Sequence, residues 1–155
     1  MSVDGMAESI QYLTFKLAEE TFALDVAKVR EILELTPITK VPQTPEYMRG
    51  VINLRGSVVP VVDMRLKFGM GMTGQTVNTC IIVVEVTLDK DAIILGALAD
   101  SVQEVVELEP GSIEPPPHIG TRLDTAFIKG MGKIDDHFVM MLDVDKIFSS
   151  AELAE

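Results

Sequence analysis

Gly69, Gly71 and Gly74 stand in the spacing G-x-G-x-x-G, with which a backbone can approach the pyrophosphate of a dinucleotide. That chemistry needs a strand before the glycines and a helix after them, because the phosphate rests on the helix N-terminus. Here a short helical pattern over Met64–Phe68 precedes them, and the strand-like TVNTCIIVVEV follows. GMGMTGQ (69–75) therefore reads as a flexible linker. GMGK at Gly130–Lys133 is too short for a phosphate cradle. His118 follows three prolines and His137 sits in a turn, neither at metal-ligand spacing from Cys80. Cys80, the sole cysteine, lies in an apolar strand and reads as a packed thiol; an internal disulfide is excluded. Asp63 and Asp143 each follow an apolar strand and read as caps of short helical turns. Glu31 and Glu104 lie inside strands, where an acid on an edge discourages stray pairing. No acid–base pair or nucleophile–base set can be assembled, so the expectation is a protein without catalysis, cofactor or metal.

One residue stays unexplained by this survey. VINLRGSVVPVVD (51–63) reads as a hairpin whose turn is Leu54-Arg55-Gly56-Ser57, with Gly56 at a position needing positive φ. Pro60 cannot donate to a ladder, so the return strand is an edge there or carries a bulge. The turn requires no arginine. Arg55 is either a solvated turn residue or a guanidinium presented to a partner's carboxylate or carbonyl.

The elements that position these residues come in two sets. FALDVAKVREILEL (Phe22–Leu35) aligns with LGALADSVQEVVEL (Leu95–Leu108), placing Val29 on Val102, Glu31 on Glu104 and Leu35 on Leu108. Tyr47–Phe68 aligns with Phe127–Phe148, placing Gly50 on Gly130, Val59 on Val139 and Asp63 on Asp143. The offsets are 73 and 80 residues, so the intervening loop has grown by seven. Two matches in the same order indicate a duplication. In the second copy Asp135 replaces Arg55 and Lys133 replaces Asn53. Strands are expected over 11–17, 21–25, 30–35, 51–55, 57–62, 80–88, 92–99, 102–108, 126–133 and 137–142. Helical turns are expected near Val26–Val29 and Met64–Phe68, with a terminal helix over Asp143–Leu153. The proline-rich stretches 41–47 and 107–120 read as linkers inside the halves. Short strands separated by Gly, Pro and Asp predict small barrels or a sandwich.

Thirteen basic against 24 acidic residues give a net charge of −11 over 155 residues. That opposes nucleic acid and anionic membrane surfaces. MSVDGMAESI shows no secretory pattern and no stretch approaches eighteen apolar residues, so a cytoplasmic protein without membrane insertion is expected.

RGVINLRG followed by VPVVD and R-L-K-F, with V-x-E-I at Val29–Ile32 ahead of V-P-x-T-P at Val41–Pro45, resembles the chemotaxis coupling protein CheW family over nearly the whole chain. The resemblance implies an all-β fold of two intertwined five-stranded SH3-like β-barrels with a core between them, a few short helices and a C-terminal helix. It implies one domain over 10–155, with residues 20–70 as the first barrel, 78–145 as the second, and the terminal segments crossing over. It further implies a non-enzymatic adaptor between the regulatory domain of the histidine kinase CheA and the cytoplasmic tips of methyl-accepting chemoreceptors, located at membrane-associated receptor arrays. By position, Arg55, Val102 and Val105 match receptor-binding residues, and Val29 and Glu31 match kinase-binding ones. The bland reading of the three valines is core packing. The competing class is a small-molecule-binding barrel that uses Arg55 in the inter-barrel groove to grip an anion.

Overall fold

The structure is a computed structural model that describes residues 10–88, 90–115 and 127–147. Eleven strands follow one another: β1 (Ile10–Leu17), β2 (Glu20–Asp25), β3 (Val29–Glu34), β4 (Met48–Leu54), β5 (Ser57–Asp63), β6 (Cys80–Leu88), β7 (Asp91–Ala99), β8 (Ser101–Leu108), β9 (Ile113–Glu114), β10 (Ile128–Ile134) and β11 (His137–Leu142). A 3-10 turn covers Val26–Lys28, and one-turn helices α1 (Met64–Lys67) and α2 (Val144–Ile147) follow β5 and β11. The rest of the expected terminal helix, and His118, lie outside the described residues.

The strands form two sheets in the orders β8-β1-β2-β11-β10-β9 and β3-β6-β7-β5-β4, the two intertwined SH3-like barrels of an all-β fold. The first has six strands rather than five because β9, inside the stretch read as a linker, adds two residues to β10. Barrel membership also departs from the ranges 20–70 and 78–145. β2 joins the C-terminal strands, and β6 and β7 complete the sheet of β3, β4 and β5. The cause is reciprocal exchange between the copies: β5 pairs in parallel with β7, and β11 with β2. β1 lies beside β8 and β3 beside β6.

This exchange buries several strands on both faces, which explains the unbroken apolar run of β6. Ile82, Val84 and Val86 enter the core between the sheets with Leu13, Phe15, Leu17 and Phe22. Ile81 and Val83 point the other way, into their own barrel with Ile52, Val59, Val61 and Leu98. Tyr12, Ala23, Leu108, Val139 and Met141 fill the other barrel. A row of rings, Phe15, Phe22, Phe68 and Phe127, runs through the central core with centroids 6.0, 5.9 and 6.1 Å apart. Cys80 is a buried thiol in this core, as expected, and burial aided by the charge of Asp100 pushes its pKa up.

Gly50 and Gly130 recur for a spatial reason. A Cβ on Gly50 would lie 2.1 Å from the Thr39 carbonyl oxygen, and one on Gly130 would lie 2.6 Å from Ile113 Cγ2. Each glycine lets a short segment cross its strand, Thr39 opposite Val51 in one half and β9 in the other.

Candidate functional site

Arg55 and Gly56 both have positive φ, +50° and +89°, so β4 and β5 are joined by a two-residue turn of the primed type. Asn53 Oδ1 accepts the Gly56 N–H at 2.8 Å, which gives the asparagine a structural task. Pro60 interrupts nothing, because the parallel pairing of β5 with β7 starts at Val61. At this turn the Arg55 side chain is 71% exposed, yet its guanidinium is not free. Its two terminal nitrogens donate to the two carboxylate oxygens of Glu31 on β3, Nη1 to Oε1 at 3.3 Å and Nη2 to Oε2 more closely.

The bond from Arg55, and then its charge, hold the Glu31 carboxyl below the usual range, while Glu31 raises Arg55. Both groups therefore stay ionised near neutral pH. They form one lip of an open groove of about 610 Å³ walled by Leu54, Val58, Val83 and Ile93, with Arg30 beside them. Val58 stands in it largely exposed.

The equivalent place in the other barrel is a smaller groove of about 260 Å³, with Gln103, Glu104, Asp135 and His137 among its lining. Glu104 stands for Glu31 and Asp135 for Arg55, so two acids replace the ion pair. The fold is duplicated; the guanidinium site is not.

At the end of β5 away from the Arg55 turn lies a second polar centre that sequence reasoning reduced to a cap. Asp63 is fully buried and does cap α1, accepting the N–H groups of Arg65 and Leu66. It also takes Arg49 Nη1 at 2.9 Å, the Thr73 N–H at 3.0 Å and the Thr73 hydroxyl at 2.6 Å. The glycine-rich segment is thus pinned rather than flexible at Thr73, which is 5% exposed. The retained cation–acid spacing of Arg49 and Asp63, repeated as Lys129 and Asp143, was the available signal.

The remaining candidates are distributed over both barrels. Val29 and Val102 are half-buried and pack against the central core, while Val105 is 51% exposed. β3 and β8, which carry Glu31 and Val105, are each the outermost strand of a sheet, as expected for acid-bearing edges. Glu31 and Arg55 share the groove, whose lining includes neither Val102 nor Val105. Among the described residues, no helix is long and apolar enough to cross a membrane.

A family model described as a CheW-like domain matches residues 11–152, the span that contains both barrels. The chain belongs to the CheW-like family. Among relatives, the chemotaxis protein CheW of Klebsiella aerogenes is 33% identical over 144 residues, covering 93% of this chain and 84% of the relative. The chemotaxis protein CheW of Thermotoga maritima is 30% identical over 155 residues, covering 98% and 95%. The crystal structure of the scaffolding protein TtCheW from Thermoanaerobacter tengcongensis matches with a TM-score of 0.82 at 37% identity, over 93% of this chain and 90% of that one. The CheW-like fold, with its two exchanged barrels, is shared with proteins named for chemotaxis and, in TtCheW, for scaffolding. Here it carries the Arg55–Glu31 lip on one barrel and an acidic counterpart on the other.

Proposed function

We propose that this chain is a non-catalytic adaptor that joins the cytoplasmic tips of methyl-accepting chemoreceptors to the regulatory domain of CheA, and so resides in the cytoplasm at receptor arrays. The observation that carries this reading is the Arg55–Glu31 pair on the lip of an apolar groove, built on one copy of a duplicated fold whose other copy lacks it. A protein contact suits such a lip: apolar walls supply area, and a preorganised ion pair sets orientation. Arg55, Val102 and Val105 are assigned to the receptor, and Val29 and Glu31 to the kinase. The bond between Arg55 and Glu31 makes the two contacts interdependent. A small anionic ligand is less well served, since the guanidinium is already neutralised by a carboxylate.

The test is a titration of the chain with the CheA regulatory domain and with a receptor tip, in wild type, Arg55→Ala and Glu31→Ala. Loss of receptor binding in Arg55→Ala with the fold intact supports the assignment. Wild-type protein that binds neither partner refutes it.

A further inference from the structure

Among the described residues three ion pairs join residues 10–68 to residues 80–147, and all three have the same polarity. Arg30 Nη1 lies 2.8 Å from Glu85 Oε1, Lys28 Nζ 3.1 Å from Asp145 Oδ2, and Arg65 Nη1 3.2 Å from Asp100 Oδ2. In each, the first half supplies the cation and the second half the anion.

Two of these pairs sit at equivalent places in the duplicated fold. Arg65 is the second residue of α1, and the 80-residue offset sets Asp145 there in α2. Asp100 lies between β7 and β8, and Lys28 between β2 and β3, the connections where the chain leaves one sheet for the other. Each carboxylate also takes a backbone N–H, Asp100 from Ala18 in the β1–β2 turn and Asp145 from Thr87 near the end of β6. The same clamp is therefore built twice with its charges reversed. The wider composition agrees. Residues 10–68 hold eight Lys or Arg and seven Asp or Glu, whereas residues 80–147 hold five and thirteen.

A duplicated chain whose halves exchange strands has a recognition problem. Each half completes its sheets with another half, and a copy of itself from a second chain offers the same strands. We infer that the reversed clamps are a pairing code that admits the unlike half and rejects the like one. First half against first half would bring Arg65 to the segment of Lys28, cation to cation. Second half against second half would bring Asp145 to Asp100, anion to anion, within an assembly that also doubles the excess of acid. Repulsion of this kind acts against the wrong partner without any new contact to the right one.

The test uses full-length chains. Lys28→Glu with Arg65→Glu makes both clamps anionic, and Asp100→Lys with Asp145→Lys makes both cationic; each chain is expected to melt several degrees below wild type. All four substitutions in one chain restore complementarity with reversed polarity. Lys28→Glu/Arg65→Glu should then lower the melting temperature in the wild-type background and raise it in the Asp100→Lys/Asp145→Lys background, a change of sign that lost packing cannot produce. Unfolded and refolded together in equal amounts, the two double variants have matched clamps only between chains. The expected product is a 1:1 dimer with exchanged halves, read by light scattering and native mass spectrometry. A four-substitution chain that melts no higher than Asp100→Lys/Asp145→Lys overturns the inference, as does a co-refolded mixture that stays monomeric. Should a double variant fail to fold alone, cooperative melting of the four-substitution chain supports the code, and its failure to fold overturns it.

Discussion

Arg55 and Glu31 face each other across 24 residues of chain, with both terminal nitrogens of the guanidinium on both oxygens of the carboxylate. The pair is solvent-facing, so its value lies in geometry more than in stability. Arg55→Ala is expected to leave thermal stability close to that of wild type, as for most exposed substitutions. Receptor-tip affinity should nevertheless fall. Calorimetric melting beside a binding titration separates the two effects, and a large fall in melting temperature would make Arg55 a structural residue.

The same pair has a pH signature. Its bond with Arg55 holds Glu31 below the ordinary glutamate value of 4.5. A folded-state pKa below the unfolded one contributes stability that is present above the unfolded value and lost as pH falls through the folded value. Any melting-temperature gap between wild type and Glu31→Gln at pH 7 is therefore small, and it should close as the pH falls below the ordinary glutamate value of 4.5 and through the lower folded one. A gap that is unchanged at pH 2 would show that ionisation of Glu31 is irrelevant to it.

Asp63 carries far more of the fold than its length suggests. Asp63→Ala removes the α1 cap, strands Arg49 and frees Thr73. Breaking one side of a buried charged network costs about 3 kcal/mol at the lower end of the range. For a chain of this size that is a drop of about 6–12 °C in Tm, measurable by circular dichroism.

Gly50→Ala forces a Cβ against the Thr39 carbonyl at a φ of +144°. A loss of at least about 1–3 kcal/mol follows from the backbone strain alone. Gly74→Ala is the control, because a Cβ there meets nothing within 4 Å and the residue should tolerate the change. Equal melting curves for the two variants would contradict the crossing of residue 39 over β4.

Val105 and Val102 separate surface from core. Val105→Glu places a charge on a half-exposed strand and should keep the fold while weakening receptor binding. Val102→Glu drives a charge toward the packed central core and should lower stability as well, which chemical denaturation would report.

Local chemistry carried much of this architecture into the sequence. The turn at Arg55–Gly56, the short helices after β5 and β11 and every strand but β9 follow from alternation, glycine and proline. The partners of those strands do not. Nothing within β6 or β7 says that they belong beside β3 and β5, because that choice is made by a core assembled from both copies. The difference between Arg55 and Asp135 marked the candidate site, but the Glu31 partner was hidden by sequence separation. Thr73, in a stretch rich in glycine, gave no sign that its hydroxyl would be buried against Asp63.

The parallel pairings of β5 with β7 and of β11 with β2 also limit how early the strands of the first copy can find their partners. On the ribosome β1 and β2 emerge first, yet the strands that flank them, β8 and β11, belong to the second copy and are synthesised later. At about 5–20 residues per second the nascent first half waits for seconds with its apolar edges unpaired. A chain built this way gains little from folding as it is made. Its two sheets close together, once strands of the second copy are present to flank those of the first.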